Sequence, residues 1–348
     1  CQVIALAAPH RWGGTGPLMA SPVERRLQTR FLLSLLPLVV ALVFGLMAGD
    51  WIIAGQAART LLGDRMQSSA SLAADSLPFF IETGQGLITE IADDARWYQS
   101  TTQEVMELLE DNVYRVPYFN ELYLLDDTGM AQAGFPGSDF FVASPAAEEY
   151  AAINLVLGAG VPFQYYSILP AEDGQPARIS FLAAIRDRQG KVRGVLIGRV
   201  DLASNLMMQP ALAALNSLKA IDGEGMLLDG DQRVLYSSQG VGVMGGYPGQ
   251  IPVESAIFDD TAPDGTRRMV YYQPVFGYPW AVVVTVPARQ AQQLALQIAA
   301  PLLGMILVLF IVALIILRLS LNSLTRSLQN LAQEANRISG GQLDRPLV

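Results

Sequence analysis

An apolar run from Ile298 to Leu317 passes without a break into a heptad near the carboxyl end of the chain. Leu317, Leu321, Leu324, Leu328, Leu331, Ala335 and Ile338 follow at alternating intervals of four and three residues. That spacing keeps one apolar seam of a helix turned toward a partner helix. A second apolar run, Phe31 to Gly49, lies near the other end. Each has about the 20 residues that an α-helix needs to cross about 30 Å of hydrocarbon. The two runs therefore read as transmembrane helices over 31–49 and 298–317, the second continuing into a coil that pairs two copies of the chain.

Basic residues near span ends stay on the cytoplasmic side. Arg25, Arg26 and Arg30 precede the first run, and Arg318 and Arg326 follow the second, so segments 1–30 and 318–348 are predicted to be cytoplasmic and 50–297 to lie across the membrane. The apolar core of a signal peptide is shorter, about 7 to 15 residues, and the first run is read as retained. Met19 precedes Glu24 and Arg25 closely, so residues 1–18 are expected to be an upstream extension or a fragment edge.

The chain carries 32 acidic and 23 basic residues, a formal net charge of −9. Asp50 to Arg289 holds 29 of those acids and 15 of the bases, an excess of 14 negative charges. Such a segment is repelled by nucleic acid and by anionic lipid surfaces. The sole cysteine is Cys1 and the sole histidine His10, both before the first apolar run. The middle segment thus has no disulfide, no Ser-His-acid triad and no His- or Cys-ligated zinc.

Within that segment, Gln56 to about Asn112 reads as helix, with Pro78 and the Gly84–Gly86 pair expected to kink or interrupt it. Strands are predicted at Glu121–Leu125, from which an Asp126–Gly129 turn returns the chain as a hairpin toward Phe135 and Pro136, then at Phe163–Leu169, Arg178–Asp187 and Val192–Leu202, with a short helix at Pro145–Gly158. This order gives an antiparallel sheet with helices on one face. The Leu-Leu-Asp turn of Leu124 to Asp126 returns about 103 residues later at Leu227 to Asp229. Strands at Met226–Leu228, Val234–Ser237, Met269–Pro274 and Trp280–Val286 then form a second, smaller sheet, so two related modules stand in tandem.

Gly240 to Gly245 matches G-x-G-x-x-G, but Gly246-Tyr247-Pro248-Gly249 follows where a phosphate-binding helix would have to begin, so the stretch is read as a loop. The acid pairs Asp93-Asp94, Asp126-Asp127 and Asp259-Asp260 are read as turn and surface residues. Asp229 and Asp231 lack the remainder of a calcium loop. No catalytic set, metal or cofactor is expected. Phe163, Tyr165, Tyr166, Arg178, Phe181, Arg199 and Asp201 fall on successive strands of the first module, where a pocket with aromatic walls and a few charges suits a small solute. Of these, Tyr165, Arg178, Phe181 and Asp201 are the predicted ligand contacts.

The arrangement resembles bacterial receptors with an extracytoplasmic double Cache sensor followed by a HAMP linker. The long helix after the first span, the strand Gly194 to Leu202 and the Leu-Leu-Asp-Gly start of the second module carry the Cache likeness. Leu328, Leu331, Ala335, Ile338 and Gly341-Gln342-Leu343-Asp344 carry the HAMP likeness, with Ser327 where that linker usually has proline. The Arg-x-Trp-Tyr signature of amino-acid-binding members is absent from Phe163–Leu169, and Arg96-Trp97-Tyr98 has a different spacing. Asp201 falls where those members hold a ligand-binding acid.

The resemblance implies an α+β fold: a long helix with two tandem PAS-like antiparallel-sheet modules, a distal one over 113–205 and a proximal one over 206–289. Two transmembrane helices flank them, and a partial HAMP helix spans 318–348. It implies a homodimeric receptor of the inner or plasma membrane that binds a small solute outside the cell. The second span then relays the signal to a cytoplasmic output module. A histidine kinase is the first expectation for that module, with chemotaxis, cyclase or phosphatase modules as alternatives; a membrane-tethered enzyme is the rival reading.

Overall fold

The computed structural model describes residues 22–137, 145–159, 165–169, 177–240 and 242–339. These divide into two compact units: residues 55–295, and a helical unit formed by the segments on either side.

In the helical unit, two helices are long and apolar enough to cross a membrane. The first belongs to α1 (Pro22–Ala92), 71 residues of unbroken helix. The second belongs to α5 (Ala288–Ser339), 52 residues long with Pro301 inside it. The helical part of the heptad lies within α5, whereas Gly341 to Asp344 lies outside the described residues.

Neither Pro78 nor the Gly84–Gly86 pair interrupts α1, contrary to the sequence expectation. Proline removes one helical N–H and crowds the carbonyl four residues back, but burial on both sides outweighs that local cost. Leu77, Phe80 and Ile81 are all buried. Gly84 serves close packing: a Cβ there would stand 2.6 Å from the Tyr118 hydroxyl and 2.7 Å from the Phe181 ring. A short 3-10 turn (Ala95–Tyr98) follows, then α2 (Thr102–Arg115). The α2 start is fixed by Glu104, whose carboxylate accepts from the Thr101 backbone N–H at 2.7 Å.

The first sheet has the order β2-β1-β5-β4-β3. Its strands are β1 (Glu121–Asp126), β2 (Ala131–Phe135), β3 (Tyr165–Leu169), β4 (Arg178–Arg186) and β5 (Val192–Asp201), all antiparallel. One face packs on α1 and α2 through Phe80, Leu109, Leu122, Phe181, Leu196 and Val200. The opposite face is covered by α3 (Tyr150–Ala159), whose Ala152, Ile153 and Val156 meet Leu125, Leu182, Val195 and Ile197. Helices thus cover both faces rather than one. The strand β5 burial pattern carries the reason, since its residues Gly194 to Val200 are all buried and a strand apolar on both sides needs two covers.

After the short α4 (Gln209–Asn216) comes the second sheet, of order β7-β6-β10-β9-β8. It comprises β6 (Glu224–Leu228), β7 (Val234–Ser237), β8 (Ala256–Thr261), β9 (Arg267–Pro274) and β10 (Ala281–Pro287). It is not smaller than the first, because β8 completes five strands. That strand contains Asp259 and Asp260, which the sequence assigned to a surface turn. Aspartate is disfavoured in strands generally but tolerated on an edge, and here Arg268 and Arg59 pair with Asp260 and Asp259. The Gly240–Gly245 stretch forms part of a loop in which Met244 and Gly245 bond to Val234.

The two sheets of the larger unit share one apolar core. Tyr166 of β3 meets Trp280 edge-on, with ring centroids 5.7 Å apart. The Ala177 N–H donates to the Leu235 carbonyl at 2.9 Å, linking the lead-in to β4 with β7.

Candidate functional site

Side chains alternate between the faces of a strand, so register decides which charges of the first sheet meet. Glu121 stands opposite Arg199, and Arg199 opposite Ser180. One step along, Asp201 stands opposite Arg178, and Arg178 opposite Leu169. These residues share the α3 face with Leu182 and Ile197.

Arg199 organises this face. Its guanidinium donates to both Glu149 oxygens, at 2.9 and 2.8 Å, and to Glu121 at 3.3 Å. It also lies 4.3 Å from the centre of the Tyr123 ring, a cation-π contact. Glu149, just before α3, is 0% exposed. It accepts further hydrogen bonds from the Ser180 hydroxyl and from the Ala146 N–H at 2.7 Å. The forked pairing of arginine with carboxylate fixes orientation as well as charge, so Glu149 ties the start of α3 to the sheet. Arg178 bridges to the other Glu121 oxygen at 3.3 Å, and the Tyr123 hydroxyl donates to Glu121 at 2.7 Å.

Burial alone would raise the Glu149 carboxyl, but the hydrogen bonds from Arg199 and Ser180, with the Arg199 charge, hold it below its ordinary value. Burial opposes the Arg199 charge too, and Glu149 more than restores it, so the guanidinium is raised. The Tyr123 phenol is pushed up to about 12 by burial and by its bond to the Glu121 carboxylate. A carboxyl lowered by folding stabilises the fold above its unfolded-state value and loses that contribution as pH falls through its folded value. The melting temperature of the wild-type chain is therefore expected to exceed that of Glu149→Gln most near neutrality. The gap should narrow between about pH 5 and about pH 3; a gap independent of pH would remove the ionised pair from the account.

Of the predicted contacts, Arg178 and Asp201 are brought together on the α3 face. Tyr165 begins β3, registered with Leu182. Phe181 is not brought to this face: it is fully buried on the other side of the sheet, against Phe80, Tyr118 and Phe119. Phe163 lies outside the described residues. Sequence reasoning missed Glu121, Tyr123, Glu149 and Ser180. Strand parity was the available signal, because Arg178 and Ser180 are two apart and share a face, whereas Arg178 and Phe181 are three apart and cannot.

The larger unit thus joins a long helix to two antiparallel five-stranded sheets, the first with a buried charged network under a covering helix. The Cache domain profile dCache_1 matches residues 54–295, and the chain belongs to that family. The ligand-binding domain of the Pseudomonas aeruginosa amino acid chemoreceptor PctB, solved with L-Arg, is similar in fold. It shares 21% identity over 66% of this chain and 97% of its own, with a TM-score of 0.50. The corresponding domain of the Pseudomonas fluorescens chemoreceptor CtaA, solved with L-leucine, also shares 21% identity, over 68% of this chain and 99% of that one, with a TM-score of 0.50. Among curated proteins none matches this sequence significantly.

Proposed function

We propose that this chain is the sensory part of a homodimeric transmembrane receptor and that the α3 face of the first sheet binds a small amine-bearing solute outside the cell. The observation that carries the ligand class is a charge count on that face. Arg199 is matched by Glu149 and Arg178 by Glu121, which leaves Asp201 as the unmatched acid. Among the described residues the Asp201 side chain has no hydrogen-bond or ion-pair partner; its backbone N–H donates to Asn120 at 2.9 Å and its carbonyl accepts from the Asn205 N–H at 3.2 Å. A ligand ammonium completes the face, and half-exposed Arg178 beside Asp201 can take a ligand carboxylate or hydroxyl. The L-Arg and L-leucine of the similar chemoreceptor structures both carry such an ammonium group.

The apolar helices and the basic residues flanking them, Arg25, Arg26, Arg30, Arg318 and Arg326, support spans at 31–49 and 298–317 with the sensor outside the cytoplasm. Displacement of β3 and β4 by ligand reaches Trp280 through Tyr166, and β10 leads directly into α5. The heptad then carries the change into a HAMP coil whose packing has discrete alternatives, and onward to an output module, in the first reading a histidine kinase.

The test is thermal melting of the chain in lipid nanodiscs against a panel of amino acids and amines. At least one amine-bearing compound should raise the melting temperature without being consumed, and Asp201→Asn should weaken its binding by about tenfold or more, the worth of a charged hydrogen bond. Turnover of the compound, or an Asp201→Asn response equal to wild type, would overturn the reading.

A further inference from the structure

We propose that the second sheet holds a binding site of its own, at Glu224 and Tyr247, for a small primary ammonium cation. This inference stands apart from the reading of the first sheet, because its observations all come from the other half of the larger unit.

The two sheets are built alike, and their register aligns them residue by residue. β1 opens Glu121-Leu-Tyr-Leu-Leu and β6 opens Glu224-Gly-Met-Leu-Leu. Glu121 stands opposite Arg199, and Glu224 stands opposite Thr285. Ser180 lies beyond Arg199 as Val270 lies beyond Thr285. Arg178, two residues before Ser180, thus corresponds to Arg268, two residues before Val270. In the first sheet the glutamate is neutralised by both arginines. In the second, threonine replaces one of them, and the other is engaged by Asp260 at 2.9 Å.

Glu224 therefore lacks the two arginines that pair with its counterpart. It accepts from the Ser237 hydroxyl at 2.6 Å, and among the described residues it has no ion-pair partner. A partly buried carboxylate without a counter-charge is costly unless something supplies one.

The same face contains a second unsatisfied group. Tyr247 comes from the loop after β7 and packs on Met226, Val270, Tyr272 and Val283. It is 7% exposed, and its buried hydroxyl has no hydrogen-bond partner. The Arg268 guanidinium lies 5.8 Å from its ring centre. Burial raises the phenol, Arg268 opposes this, and the Asp260 and Glu224 charges add to it. The hydroxyl oxygen and the open side of Glu224 are acceptors for an N–H donor. The cluster around the ring, Met226, Val270 and Val283, is apolar, and in this proposal it receives the alkyl group of the cation. An ammonium ion here takes the electrostatic place that Arg199 fills in the first sheet.

The experiment uses methylammonium chloride as probe, with the chain in nanodiscs carrying Asp201→Asn, and sodium chloride added to hold ionic strength constant. Methylammonium should raise the melting temperature saturably in this background. Adding Glu224→Gln should weaken the effect by about tenfold or more, and adding Tyr247→Phe should weaken it severalfold while circular dichroism stays unchanged. A saturable response that survives both changes would place the cation elsewhere and overturn the inference. So would the absence of any saturable response in the Asp201→Asn background. Tyr247→Phe that alters stability but not methylammonium binding would show that the hydroxyl held only water, with the same consequence. None of these outcomes touches the first site, which is judged by the wild-type response to the amine panel and its loss in Asp201→Asn alone.

Discussion

Replacing Arg199 by leucine is expected to destabilise the sensor by about 3–5 kcal/mol, because it strands Glu149 as a buried charge without its partner. For a domain of this size that is a fall in melting temperature of about 10 °C. Glu149 is fully enclosed, its two oxygens take the two arms of the guanidinium, and no other cation contacts it among the described residues. Removing both charges together distinguishes this from lost packing. A Glu149→Met, Arg199→Met double variant should recover most of the stability, since an ion pair replaced by apolar groups of similar volume is often neutral. Equal losses in the single and double variants would show that packing of the arginine stem, rather than its charge, was at stake.

Truncating Phe181 to alanine is expected to cost a similar amount, about 3–5 kcal/mol, by leaving a cavity in the shared core. The ring is fully buried and meets Phe80, Tyr118 and Phe119 with centroids 5.9, 6.0 and 6.3 Å away. These contacts clamp β4 against α1 at the point where Gly84 lets the two approach. Phe181→Leu, which keeps most of the volume, should lose less than half as much. Binding of any solute on the α3 face should be unchanged in Phe181→Leu, measured by calorimetry at a temperature where the variant is folded. A large loss of affinity with normal stability would return Phe181 to the α3 face and contradict the register.

These two variants separate what was legible in the chain from what was not. Arg199 and Phe181 both stand on strands that periodicity located, and both were candidates for one pocket. Phe181 turns to the core because it lies an odd number of residues from Arg178, a rule the sequence contains but composition obscures when a strand is apolar on both faces. β8 was hidden because two aspartates suppress its strand character; Asp259 is tolerated because it faces solvent, and Asp260, half-buried, because Arg268 pairs with it at 2.9 Å. Pro78 was read as a break because its local cost is visible in sequence, whereas the burial of Leu77, Phe80 and Ile81 that outweighs it is a tertiary effect.

By itself the sequence determined the features that depend on near neighbours: two apolar helices of spanning length, a heptad continuing the second, and the alternation and turns that mark most strands. Hydrophobic period and turn chemistry act over a few residues, so they can be read without a fold. Only the tertiary structure decided which charges meet. Glu149 is 50 positions from Arg199 and Glu121 is 78, separations over which no local pattern constrains the chain. It is sheet register and the docking of α3 that bring them within hydrogen-bonding distance, and that leave Asp201 and Glu224 without an ion-pair partner among the described residues.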